Sequence, residues 1–436
     1  MHLVLNEISE KVERSSYSAV QYGKIASVVG LIIEATGLDA SLGEHYIIHG
    51  KNGENVQAEV VGLRSEVTQL MPLDSTSGLK AGMKVERMDR PLTVKVGAEL
   101  LGRVVDANTN PIDQKGPINS AKEYPLTKEA PGPLERTTID TPLRTGIRSI
   151  DAFTTVGSGQ RMGIFAGSGV GKSVLMGMIA EHSSADINVI ALIGERGREV
   201  LEFLDEALGE EGLKRSVVVA VTSDKAAMSR VKGASAATAI AEYFRDQGND
   251  VLLMMDSVTR VAMAQREIGL ASGEPPTTKG YPPSVFALMP RLLERAGKTK
   301  KGSITGLYTV LVENDDLNDP VADTVRSIID GHIVLSRELA NKNHYPAVDV
   351  LESVSRVMPN VLSNEQRSIA QQAREILATY RESEDLINIG AYAKGSNKKV
   401  DQAIAKIDAL NDFLTQDLSE SDFETNIWQK LQQIVN

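Results

Sequence analysis

The residues with the clearest chemistry lie in Ala166–Ser173, AGSGVGKS, where three glycines precede a lysine and a serine. Such a pattern suits nucleotide phosphates, because glycine lets backbone N–H groups curl around phosphate oxygens with no Cβ in the way. Gly167, Ser168, Gly169, Val170 and Gly171 form the expected cradle. Lys172 supplies a point charge for the β- and γ-phosphates, and Ser173 a hydroxyl for Mg²⁺. Val174 continues into the apolar run VLMGMIAEH, so a helix begins near Lys172 and adds its N-terminal dipole to the site. The apolar run RMGIF precedes the loop as a strand. This strand–loop–helix context identifies a phosphate loop, even though Ala166 stands where the pattern usually has glycine.

Two further strand ends belong with this loop. In VLLMMDSVTR an apolar strand ends at Asp256, whose carboxylate can hold the water shell of a loop-bound Mg²⁺. In INVIALIGERGREV a strand ends at Gly194 and presents Glu195 and Arg196. Open α/β sheets bind ligands at the carboxyl ends of their strands, so all three ends converge on one site. On spacing alone Glu195 has two readings: it activates the attacking water, or it joins a surface ion pair in the charge-rich run ERGRE.

The elements that must position these groups fall into three textures. Residues 1–95 contain short alternating runs broken by Gly, Asn and Asp, which predict a small β-barrel behind an amphipathic helix over 3–18. From 96 to 363, six apolar runs alternate with helical stretches: RMGIFAG, INVIALIGE, SVVVAVTS, DVLLMMDS, ITGLYTVLVEND and HIVLSRE. They predict a mainly parallel sheet covered on both faces. GEPPTTKGYPPS (273–284) is a stiff loop. From 364 to 436 apolar residues recur at three- and four-residue spacing, which predicts a helical domain.

The 436 residues include no cysteine, which excludes disulfide frameworks, thiolate zinc sites and cysteine nucleophiles. Lys and Arg number 47 against 58 Asp and Glu, a net charge of −11. That balance argues against nucleic-acid binding through a broad basic surface. No signal-peptide pattern opens the chain and no run reaches the ~20 apolar residues of a membrane span, so a cytoplasmic or peripheral protein is expected.

Taken together, GSGVGKS, ALIGERGREV, MMDSVTR, GEPPTTKGYPPSVFALMPRLLERAG, GSITGLYTVLVENDDLNDPVADTVRSIIDGHIVLSR and YPAVDVLESVSR resemble the type III protein-export ATPases, flagellar and virulence-associated. These are relatives of the rotary ATP synthase catalytic subunit, and the likeness runs from about residue 20 to past 400. It implies an α/β protein with an N-terminal β-barrel, a RecA-like ATPase core and a C-terminal helical domain. It also implies ATP and Mg²⁺ as ligands. By the same resemblance Glu195 matches the water-activating glutamate, and Arg196 and Arg260 match arginines close to the phosphates. Tyr345 matches the tyrosine that packs on adenine, with Tyr392 as a second adenine contact. Arg356 matches an arginine finger donated by a neighbouring subunit. On the residues alone, Tyr345 could cap a core and Arg356 could pair with Glu352 at helical spacing.

The function implied is ATP hydrolysis by a homohexameric ring that assists type III export, of flagellar components in the first reading and virulence effectors in the alternative. Expected partners are export-gate and stator or regulator proteins and cargo–chaperone complexes, with peripheral placement at the inner face of the cell membrane. Three rivals are weaker. A rotary ATP synthase subunit would carry a DELSEED-type acidic loop, which is absent from the sequence. A noncatalytic ring subunit would lack Glu195. An RNA translocase would need aromatic stacking residues in its barrel, where Tyr17, Tyr22 and Tyr46 are the chief aromatics.

Overall fold

The computed structural model describes residues 22–50, 55–88, 90–120, 122–312, 319–418, 420 and 426–436. The helix expected over 3–18 lies outside the described residues. The chain divides into two compact units between Pro91 and Leu92.

The first unit is a closed barrel of β1 (Tyr22–Val29), β2 (Ile32–Thr36), β3 (His45–His49), β4 (Asn55–Arg64), β5 (Val67–Pro72) and β6 (Lys84–Arg87). Their order is β1-β2-β5-β4-β3-β6, and β6 closes antiparallel onto β1. Strand alternation sends Ile25, Ile33, Tyr46, Ile48, Leu70 and Val85 into the core. The return from β1 to β2 turns through Gly30 at φ 59°, a left-handed conformation that favours glycine.

The second unit is built on a sheet of β7 (Arg103–Val105), β8 (Arg161–Ala166), β9 (Ile187–Ile193), β10 (Ser216–Val221), β11 (Asp250–Asp256), β12 (Ser303–Leu311), β13 (Gly331–Leu335) and β14 (Val348–Ser355). The strand order is β14-β13-β8-β12-β11-β9-β10-β7. All these neighbours run parallel except β13 and β14, which are antiparallel. Strands β9 and β10 are buried along their whole length, which is why their sequences are continuous apolar runs. The six runs read as strands are β8 to β13. The sequence reading did not include β7, only three residues long, or β14, whose Asp349 and Glu352 interrupt the apolar pattern at a half-exposed edge.

The helices packed around the sheet include α1 (Lys172–His182), α2 (Ala227–Asp246), α3 (Val258–Ser272) and α4 (Pro283–Leu293), the last starting on a proline at its first turn. The C-terminal helices are α5 (Asn364–Asn388), α6 (Lys398–Leu414) and α7 (Ile427–Val435). They do not separate as a compact unit, because Ile376, Leu410, Phe413 and Leu431 share one apolar cluster with Ile150, Phe153 and Ile164 of the core. The barrel unit also ends short of the expected boundary at 95. Thr93–Val96 pairs with Lys122–Pro125, and both segments lie in the second unit.

Candidate active site

Strand β8 ends at Ala166, the chain turns through 167–171, and α1 starts at Lys172. Gly169 and Gly171 have φ of 77° and 88°, so the curl of this loop uses the left-handed region twice. A Cβ on Gly169 would meet nothing within 4 Å, which makes its requirement purely torsional. A Cβ on Gly171 would lie 3.4 Å from the Tyr345 ring, so that ring packs directly over the loop. The Val170 side chain is buried in the core and only its backbone can face a ligand. Ser173 and Val174 are exposed at the start of α1. Loop residues 167–169 and 171, Lys172, Ser173 and Val174 line a cleft of about 830 Å³ that also holds Glu195, Asp256 and Arg260.

Three charges meet in this cleft. Lys172 Nζ is paired with Asp256 Oδ1 and stands 3.8 Å from Glu195 Oε1. Asp256 is only 3% exposed, and its Oδ1 also accepts a hydrogen bond from Thr309 Oγ1 at 2.8 Å. Glu195 Oε1 is buried without a hydrogen-bond partner. Burial, and then the Asp256 charge beside it, push the Glu195 carboxyl up to about 7 against the pull of Lys172. Glu199, one turn further on, is held below the ordinary range by its hydrogen bond to Glu195, and its Oε2 accepts from the Arg196 backbone N–H at 3.3 Å.

The donors fit Mg²⁺ bound together with phosphate. The Ser173 hydroxyl and the Asp256 carboxylate are hard oxygen ligands at adjoining ends of α1 and β11. Among the described residues no cluster of three His, Cys, Asp or Glu could hold a metal by itself, so phosphate oxygens and water would complete the shell.

The arginines divide. Arg260 lines the cleft and its Nε is buried without a partner. Gly194 makes room for it, since a Cβ there would sit 2.8 Å from Arg260 Cβ. Arg196 is 78% exposed in its side chain and lies 3.6 Å from Glu199 Oε1. Arg356 does not reach the cleft. Ala166 is level with Leu335, Leu335 with Val348, and Gly331 with Ser355, so Arg356 leaves β14 at the opposite end of the sheet. Four strand steps separate those levels, about 13 Å along the sheet. Its side chain is exposed.

These contacts bear on two readings. Glu352 and Arg356 lie on and just after a strand, not a helix, and Glu352 stands 4.0 Å from Arg381 instead. The Tyr392 hydroxyl has Asn397 O at 2.9 Å and Asp401 Oδ1 at 3.1 Å as acceptors for its one proton, so it braces the start of α6. Sequence reasoning also missed Thr309, Glu199 and Arg337. The last of these donates to the Ser168 carbonyl at 3.1 Å. A polar residue within or just after an apolar strand (TVL, LSRE) was the available signal, but it needs the strand order to be interpreted.

Comparison with known proteins agrees with this geometry. Residues 146–355 match the ATP synthase alpha/beta family nucleotide-binding domain, residues 25–89 its beta-barrel domain, and residues 362–433 the T3SS EscN ATPase C-terminal domain. The chain is 55% identical to the flagellum-specific ATP synthase of Bacillus subtilis, over 92% of each chain. It is 52% identical to the type 3 secretion system ATPase of Xanthomonas euvesicatoria, over 91% of this chain and 90% of that one. The assembled ATPase EscN of enteropathogenic E. coli, solved with its central stalk EscO, superposes with a TM-score of 0.87 at 46% identity, covering 95% of this chain and 100% of that one. A phosphate loop, a buried strand-end aspartate and a glutamate with a free oxygen thus sit in a chain that belongs to the flagellum-specific and type III secretion ATPases, a branch of the ATP synthase alpha/beta family.

Proposed function

We propose that this ATPase hydrolyses ATP with Glu195 as the base that activates water, in a closed ring of six identical chains that assists export of flagellar components. The observation that carries the site assignment is Glu195 Oε1, buried without a hydrogen-bond partner 3.8 Å from Lys172 beside the phosphate loop. A carboxyl near 7 is matched to taking a proton at neutral pH and giving it up again.

The residues divide the work. Backbone N–H groups of 167–171 and the α1 dipole cradle the β- and γ-phosphates. Lys172, held by Asp256 in the present structure, turns to the incoming phosphate. Ser173 and Asp256 would hold Mg²⁺, which would neutralise phosphate charge there. Glu195 Oε1 takes the proton as the water oxygen bonds to the γ-phosphorus and the bond to ADP breaks. Arg260 and Arg196 face the phosphates, and the Tyr345 ring, 40% exposed above Gly171, offers its face to adenine.

Arg356 stands too far from its own cleft to act there. In a head-to-tail ring it reaches the next chain's γ-phosphate, where such an arginine contributes ~10³-fold or more. Mixing Arg356→Ala chains with Lys172→Ala chains tests this. Each is expected to be inactive alone, and mixed rings should recover part of the activity through interfaces that combine an intact finger with an intact loop. Confirmed mixed rings with no recovery would overturn action in trans.

The proposed setting is the cytoplasmic face of the export apparatus, with a central-stalk protein, stator or regulator proteins and cargo–chaperone complexes as partners. EscN is seen with such a stalk. Among the described residues no helix is long and apolar enough to cross a membrane. The flagellar assignment is tested by deleting the chain in its source cell. Loss of motility supports it; intact motility with lost effector secretion assigns the virulence branch instead.

A further inference from the structure

Strand β12 lies between the phosphate-loop strand β8 and the Asp256 strand β11. Thr309 is level with Ile164 of β8, and Tyr308 is level with Met255 of β11, which sets Thr309 beside Asp256. Its hydroxyl is fully buried on a strand that is otherwise apolar from Val310 to Leu311 and at Leu307. A buried hydroxyl is unfavourable unless it is hydrogen-bonded. Two acceptors are in reach: Asp256 Oδ1 at 2.8 Å and the Met255 carbonyl at 3.3 Å. A hydroxyl has one proton to donate, and the shorter contact with a carboxylate is the stronger bond.

We propose that Thr309 is a positioning residue of the cation site, whose hydroxyl pins Asp256 Oδ1 and turns the other carboxylate oxygen toward Mg²⁺ and its waters. In the present structure Oδ1 has two donors, Lys172 and Thr309. When phosphate draws Lys172 away, Thr309 is the donor that remains. It is neutral and sits on a central strand, so it holds the carboxylate's rotation without competing with Mg²⁺ for charge. Outer-shell hydrogen bonds of this kind are typically worth 10–100-fold in metal affinity.

This inference rests on Asp256 being a Mg²⁺ ligand, and the test separates the two. ADP binding is measured calorimetrically with Mg²⁺ and with chelator, and the ratio of the two affinities is the readout. Thr309→Val keeps the shape and removes the hydroxyl. It should leave metal-free ADP binding within about threefold of wild type and shrink the Mg²⁺-dependent gain by about 10–100-fold. Thr309→Ser should restore the gain, and Thr309→Ala gives a second hydroxyl deletion if the valine variant does not fold. Asp256→Asn is run in parallel. If it abolishes the gain while both hydroxyl deletions keep it, or if serine behaves as valine does, Thr309 has no positioning role. If Asp256→Asn itself keeps the full gain, the cation-site reading fails and this inference falls with it.

Discussion

The two ends of the core sheet both bury charge, and they do so on opposite rules. At the amino ends of the strands, Arg295 donates from Nε and Nη2 to the two oxygens of Glu242 at 2.9 and 2.8 Å, and from Nη1 to the Leu126 carbonyl at 3.0 Å. The two side chains are 4% and 1% exposed. Nearby, Arg161 at the start of β8 forks onto Asp330 at 3.1 and 3.2 Å. At the carboxyl ends, one ammonium stands between two carboxylates, and one carboxylate oxygen has no hydrogen-bond partner. At the first end each of these arginines is matched by a carboxylate. The second leaves Glu195 Oε1 and Arg260 Nε buried without hydrogen-bond partners until a ligand arrives. Matching marks structure and mismatch marks function, and the same sheet shows both.

If that contrast is right, substitutions at the two ends should fail in different ways. Glu195→Gln removes the proton acceptor and nearly preserves the shape. Turnover should fall by about 10²–10⁴-fold, with nucleotide binding and folding retained. Normal turnover in this variant would remove Glu195 from the chemistry. Arg295→Ala leaves Glu242 buried without its cation and should destabilise the second unit by about 3–5 kcal/mol, read as a lower denaturant midpoint. Its turnover per folded molecule should be close to wild type. A large catalytic loss in well-folded Arg295→Ala protein would erase the distinction between the two ends.

The same contrast explains how far the sequence could be read. The phosphate loop, the six apolar runs and the strand-end positions of Glu195 and Asp256 are local patterns, so spacing alone brings them to one edge of a parallel sheet. Thr309 was invisible because its meaning depends on β12 threading between β8 and β11, a non-local fact. Strand β14 was hidden by Asp349 and Glu352, which an antiparallel edge tolerates and a central strand would not. Arg356 and Glu352 looked helical because a four-residue spacing fits a helix whenever the backbone is unknown. Tyr392 was placed by resemblance, and its hydroxyl instead serves the α6 amino end. The extent of the barrel is set by which partner Thr93–Val96 pairs with, and no local signal announces that.

The subtlest consequence of the mismatch concerns stability. Glu195 has a carboxyl raised from the ordinary value of 4.5 to about 7 by burial and by Asp256. Between those two pH values the folded chain keeps a proton there that the unfolded chain has released. Unfolding then releases protons, so this group's contribution to stability falls as pH rises through the window and is level above it. Glu195→Gln cannot titrate and loses that slope. In nucleotide-free and Mg²⁺-free buffer the variant's Tm should therefore gain on wild type as pH moves from about 5 to about 8, by on the order of 2 °C per kcal/mol relieved. Saturating Mg²⁺ and ADP should shrink the difference, because Mg²⁺ held at Asp256 would offset the charge that helps raise Glu195. Parallel Tm curves across this range would mean that Glu195 titrates as an ordinary surface carboxylate, and the two ends of the sheet would then differ in hydrogen-bond count alone.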